Sequence, residues 1–223
     1  MSQKQTVERS EIGIPAGDVS LPGTLSIPPR AKGVVIFAHG SGSSSFSRRN
    51  QFVAGRLNDA GLATLLFDLL TAEENEIDEQ TRELRFQIPF LANRLTATAD
   101  WVGSYLPTEG LSAGLFGAST GAAAALITAS ERPDSIAAVV SRGGRPDLAA
   151  NELPLVKAPT LLIVGGLDSA VIDLNKEACE SMQCKKAMEI VPGATHLFEE
   201  PGKLHDVARL AAEWFINHLG DQP

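Results

Sequence analysis

The chain is short of cysteine, short of basic charge and without an apolar leader, and each deficit removes a class of protein. Two cysteines in 223 residues cannot staple a disulfide framework. Cys179 and Cys184 lie five apart in an expected helix-to-strand connection, with no metal-ligating residues around them, and read as free thiols in a reducing compartment. Lys and Arg number 19 against 27 Asp and Glu, a formal net charge of −8, the wrong sign for sequence-independent binding to nucleic acid. Residues 1–9 are polar and lack the apolar stretch of a secretory signal, so a cytoplasmic location is expected. Residues 110–130 carry no charge over about the length of a membrane span. Gly114, Gly117 and Gly121 interrupt them, with Ser119 and Thr120 at the centre. A strand, a sharp turn and a buried Ala-rich helix account for that stretch without a membrane. There is no internal repeat or low-complexity linker, and one domain over residues 1–223 is expected.

What is present is alternation. Runs rich in β-branched and apolar residues at 33–38, 63–68, 112–116, 137–141, 160–164 and 187–191 are separated by helical patterns at 51–60, 88–106, 120–131 and 170–181, with a last helix at 203–219. That order predicts an α/β fold, a mostly parallel central sheet with helices on both faces. The runs are apolar almost throughout, as befits strands covered on both sides. Residues 11–14 and 21–27 flank a Pro15-Ala16-Gly17-Asp18 turn and predict an N-terminal antiparallel pair at one sheet edge. The acidic stretch 73–83 is expected to be a solvated loop or the start of a helix.

The chemistry concentrates at Gly117-Ala118-Ser119-Thr120-Gly121, a G-x-S-x-G pattern between a strand and a helix. A strand that turns abruptly into a helix strains the turn residue, and its neighbours two positions away must be small to avoid collision. The hydroxyl is thereby lifted clear of the sheet, beside a helix N-terminus. A serine hydroxyl needs a base, and the base needs an orienting carboxylate. Asp168 and His196 follow successive predicted strands, at the carboxyl ends where open parallel sheets bind ligands. The order Ser119, Asp168, His196 is the one this architecture uses. Each also has a plainer explanation: Asp168 could cap the following helix, and His196 could be a surface loop residue. Asp147 is the rival carboxylate. His205 and His218 sit in the last helix, and His39 reads as a structural brace of its loop. Acyl transfer also requires backbone donors for the developing oxyanion, expected from Thr120 and from Ser41 in the small-residue loop His39-Gly40-Ser41-Gly42-Ser43.

With these motifs in place the sequence resembles an α/β-hydrolase, most of all the compact, lid-less dienelactone hydrolase family, over nearly its whole length. The resemblance implies Ser119 as nucleophile, Asp168 as acid and His196 as base, with no metal or organic cofactor. Two positions depart from the family pattern: the nucleophile there is cysteine, and the oxyanion loop there has an acidic neighbour where this chain reads Ser41-Gly42-Ser43-Ser44-Ser45. Residues 140–147, Val-Ser-Arg-Gly-Gly-Arg-Pro-Asp, also resemble hydrolase domains joined to phosphoribosyltransferases, although the 223 residues show neither a transferase domain nor a P-loop.

The implied activity is hydrolysis of a small ester, lactone or thioester through an acyl-enzyme. Only residues 142–157 separate the run at 137–141 from the next, so no large lid domain is expected. Arg48, Arg49, Arg142 and Arg145 cluster near the expected site; Arg142, with Arg48 or Arg49, could hold an anionic group of the substrate in fork geometry, or the arginines could pair with the surplus acids. A second class stays open, a hydrolase-fold protein that binds a ligand or partner without turnover.

Overall fold

The computed structural model describes residues 6–220; residues 1–5 of the polar start and residues 221–223 lie outside the described residues. Eight strands form one sheet: β1 (Glu8–Ala16), β2 (Val19–Ile27), β3 (Val34–Ala38), β4 (Ala63–Phe67), β5 (Ala113–Ala118), β6 (Ile136–Arg142), β7 (Thr160–Gly165) and β8 (Lys186–Val191). Their order across the sheet is β1-β2-β4-β3-β5-β6-β7-β8. From β4 to β8 every pairing is parallel, while β2 joins β4 antiparallel and carries β1 as the edge strand. The hairpin is tighter than its sequence suggested. Pro15 and Ala16 stay in the strand and only Gly17 and Asp18 turn, with Gly17 at φ 71°, the first-position glycine of a two-residue hairpin loop.

Two helices cover one face, α1 (Arg48–Asp59) and α6 (Lys203–Leu219), and close over Val35, Phe37, Phe116, Val140 and Ile163. The opposite face carries α3 (Ile88–Ser104), α4 (Thr120–Glu131) and α5 (Ser169–Ser181) over Ile36, Leu65, Leu115, Val139 and Leu162. Strand alternation sorts each side chain to its face: in β6, Val139 packs with the second group and Val140 with the first.

The acidic stretch is a helix, α2 (Ala72–Thr81), held by a capping box in which Thr71 accepts the Glu74 amide and Glu74 accepts the Thr71 amide. Between β6 and β7 the chain makes only two short 3₁₀ turns, Pro146–Ala149 and Leu153–Leu155. No helix among the described residues is long and apolar enough to cross a membrane. Residues 110–130 divide into β5, the Ser119 turn and α4. Cys179 belongs to α5 and only Cys184 to the connection; both are free thiols.

Candidate active site

Ser119 stands between β5 and α4 at φ 51°, ψ −120°, a conformation L-residues adopt only under constraint, at a cost of about 1–3 kcal/mol. The constraint is visible atom by atom. The Ser119 amide donates to the Arg142 carbonyl at 3.1 Å, and the Ser119 carbonyl accepts from Arg145 and Ala122, each at 3.1 Å. A Cβ on Gly117 would lie 2.4 Å from Ala122 Cα, and one on Gly121 would lie 2.3 Å from the Ala38 carbonyl. Both distances are far inside contact, so the two glycines allow α4 to start directly behind β5 and against β3.

Asp168 occupies the N-cap position of α5 but makes no capping hydrogen bond. Its Oδ2 lies 2.6 Å from His196 Nδ1 instead, so the simple helix-capping explanation for this carboxylate fails. The two loops that carry the pair are bonded through their main chains: Gly166 donates to the Val191 carbonyl and Leu167 to the Ala194 carbonyl, both at 2.9 Å. Phe198, two residues beyond the imidazole, is fully buried at φ 57°, an unusual backbone for a bulky residue that its packing must maintain. Gly143 connects the halves of the site. A Cβ there would lie 3.5 Å from His196 Nδ1 and Cε1, and its neighbour Arg142 holds the Ser119 amide. Among the described residues the Ser119 hydroxyl makes no hydrogen bond, so the third contact of the expected constellation, hydroxyl to imidazole, is not formed in this structure. Hydroxyl–base distances of that kind are often long without substrate and tighten with it. Asp147, the rival carboxylate, is engaged by Arg145 through two bonds of 2.8 and 2.7 Å.

The loop expected to supply an oxyanion donor differs from expectation at one atom. Gly40 presses on the turn, a Cβ there falling 3.0 Å from Ser119 Cβ, but the Ser41 amide points at the buried Thr120 hydroxyl and donates to it at 2.8 Å. As it stands that amide is not free for a substrate oxygen. The cause is the short hydroxyl side chain on the first residue of α4, which reaches back across the turn.

His39 braces this loop. Its Nδ1 lies 3.0 Å from the Gly40 carbonyl and its Nε2 accepts the Leu69 amide at 3.1 Å, an arrangement that a neutral ring satisfies on both sides. Desolvation holds its pKa below 6.5, against the opposing pull of the Gly40 carbonyl and the Asp68 charge. The unfolded chain therefore takes up this proton first. The stability that the neutral ring contributes is complete above pH 6.5 and is lost as pH falls through the folded-state value. Thermal denaturation from about pH 7.5 to about pH 5.5 should show a steeper fall in Tm for the wild type than for His39→Gln; parallel curves would contradict this.

Beside this loop lies a cavity of about 520 Å³ between Gly40–Ser44 on one wall and Thr71, Asn75 and Arg85 on the other, with Asp68 also lining it. Asp68 fixes the loop by accepting the Ser45 amide at 2.6 Å and the Ser45 hydroxyl at 3.1 Å. The sequence reading missed Asp68, although its position just past β4 was the available signal. It also missed the Asp78–Arg85 pair, 2.5 Å apart, on the cavity wall. Burial pushes the Asp78 carboxyl up, but the Arg85 amide and guanidinium and the Leu84 amide outweigh it and hold the pKa below the usual carboxylate value.

The arginines divide. Arg48 is exposed, Arg49 reaches Glu199 at 2.6 Å, and Arg145 is occupied by Asp147. Arg142 is 7% exposed, and its Nε and Nη1 have no partner.

A parallel sheet with an antiparallel N-terminal edge, a strained serine turn after β5, and a carboxylate and histidine after β7 and β8 defines the α/β-hydrolase fold. The model of the dienelactone hydrolase family matches residues 21–217, and the chain belongs to that family. A dienelactone hydrolase from Anabaena variabilis, known from its crystal structure, is 56% identical, with a TM-score of 0.95 over 96% of this chain and 99% of that one. A Mycobacterium tuberculosis protein with the provisional name phosphoribosyl transferase is 53% identical over 209 residues, which is 94% of this chain but 46% of that protein. The chain thus spans about half the length of the curated relatives it matches. Est1E from Butyrivibrio proteoclasticus shares the fold at 16% identity, with a TM-score of 0.78 over 93% of this chain and 98% of that one.

Proposed function

We propose that the chain is a serine hydrolase that cleaves a small ester, lactone or thioester through an acyl-enzyme. The observation that carries this reading is Asp168. It leaves its own helix uncapped and holds His196 Nδ1 at 2.6 Å, beside a serine whose backbone is forced into a strained turn. In this scheme the Ser119 oxygen attacks the substrate carbonyl while His196 Nε2 takes its proton, and the Asp168 carboxylate stabilises the imidazolium. The imidazolium returns the proton to the departing alcohol or thiol. Water, deprotonated by the same ring, then attacks the acyl group and restores the serine.

The carbonyl oxygen becomes negative beside the Thr120 amide at the start of α4. The Ser41 amide is the second donor, exchanging its bond to the Thr120 hydroxyl for one to the substrate. Each such donor is worth about 2.7–4 kcal/mol of transition-state stabilisation. Lactones fall within this range because ring opening leaves acyl group and leaving alcohol on one molecule, and the name of the Anabaena relative points the same way. The transferase name of the mycobacterial relative is not carried over, since this chain matches only 46% of that protein.

Incubation of the wild-type protein with a fluorophosphonate, followed by peptide mass mapping, should place one adduct on Ser119. A folded protein left unlabelled there would favour a binder without turnover and overturn the proposal.

A further inference from the structure

Outside the groups used so far, one side chain is out of balance with its surroundings. Alternation along β6 sends Arg142 to the face covered by α1 and α6, as it does Val140. There the guanidinium is 7% exposed, Nε and Nη1 have no hydrogen-bond partner, and no carboxylate pairs with it among the described residues. The other half-buried and buried arginines of the site region are matched: Arg85 by Asp78, Arg94 by Glu74, Arg145 by Asp147. Burial, and secondarily the charge of Arg49, lower the Arg142 pKa to about 10, so the group is still a cation at neutral pH. An uncompensated buried cation is costly, and a folded chain normally supplies its counter-charge.

Arg49 is in a related position. Its Nη1 reaches Glu199, which is 62% exposed, while its Nε is buried and unpartnered. It stands in the first turn of α1, where there is no acidic residue. Two cations, Arg48 and Arg49, occupy the end of the helix that already carries partial positive charge and ordinarily attracts acids. Surplus positive charge from the strand and from the helix therefore meets with only a solvent-exposed glutamate to offset it.

We propose that Arg142 and Arg49 form a binding site for an oxyanion, a carboxylate or a phosphate, at the N-terminus of α1. The missing counter-charge is supplied from outside the chain. Guanidinium edges suit these groups because two parallel N–H donors match two oxygens, and the helix end adds attraction without a side chain. The site adjoins the serine turn, since the Arg142 carbonyl accepts the Ser119 amide and the next residue, Gly143, lies against His196. The anion is either a group on the substrate or a separate ion beside it. The second half of this assignment, a role in choosing substrates, rests on the hydrolytic function proposed above; the binding itself does not.

The probes are inorganic phosphate and acetate, titrated into the full chain at constant ionic strength and read by calorimetry and Tm. Wild type should bind saturably and gain Tm. Arg142→Met should abolish both effects, and Arg49→Gln should weaken binding at least tenfold; the second variant decides if the first does not fold. No saturable binding, or equal binding by wild type and Arg49→Gln, overturns the site.

A matched pair of aryl esters, one ending in a free carboxylate and one in its methyl ester, separates the two sources. If the anion belongs to the substrate, phosphate competes with the charged ester, and Arg49→Gln raises its KM at least tenfold more than that of the neutral one. If the anion is separate, phosphate alters turnover of the neutral ester without competing. Equal KM changes for both esters with no response to phosphate mark a structural arginine and sink the proposal. Phosphate binding in a protein that hydrolyses neither ester would instead sink the hydrolytic function and leave the anion site standing.

Discussion

Ser119→Ala should lower kcat for an activated aryl ester by about 10⁶-fold while leaving the fold intact. The size of the loss comes from the acyl-enzyme route: without the oxygen, no covalent intermediate forms, and losing the nucleophile costs as much as losing the whole constellation. The fold should survive because the backbone of the turn is secured by groups other than the hydroxyl, namely the Arg142 carbonyl and the Arg145 and Ala122 amides. Alanine meets the same strain at φ 51° that serine does, so Tm should scarcely move. Steady-state kinetics and circular dichroism decide the matter. Retention of more than about one per cent of kcat would be incompatible with an acyl-serine pathway.

Asp168→Asn should reduce kcat by about 10⁴-fold, a loss out of proportion to the replacement of one oxygen by nitrogen. The carboxylate Oδ2 lies 2.6 Å from His196 Nδ1 and can only accept there, which places the ring proton on Nδ1 and leaves Nε2 free to act as a base. An asparagine can turn its amide donors to Nδ1, favouring the tautomer whose Nε2 already carries a proton and cannot take another. Asp168 does not cap α5, so Tm should stay close to wild type and the kinetic loss should not reflect unfolding. Asp147→Asn is the control, because that carboxylate is spent on Arg145 and its neutralisation should bring no comparable loss. A similar fall in both variants, measured as kcat at saturating ester, would remove Asp168 from its assigned role.

Much of this architecture was legible before any coordinates because the central strands are covered on both faces and therefore appear as uninterrupted apolar runs. The G-x-S-x-G turn was legible for a steric reason now seen in distances: Gly117 and Gly121 have no room for a side chain. Helix α2 was harder to recognise. Its exposed, acidic surface has almost no apolar stripe, with Ile77 itself exposed, and only the Thr71–Glu74 capping pair announced it. The Ser41–Thr120 bond was out of reach, since it spans 79 residues and depends on the path of a loop. The division among the arginines was hidden as well. A surplus of acids suggests that every guanidinium finds a mate, and only the packing shows that Arg49 and Arg145 do so while Arg142 does not.

The main-chain ties from Gly166 to Val191 and from Leu167 to Ala194 have a consequence for how such a protein can diversify. The spacing of Asp168 and His196 is inherited from the pairing of neighbouring strands rather than from particular side chains. Leu167 and Leu197, exposed on either side of the pair, can therefore be exchanged without disturbing that spacing. The chassis is preserved while its rim is free to vary.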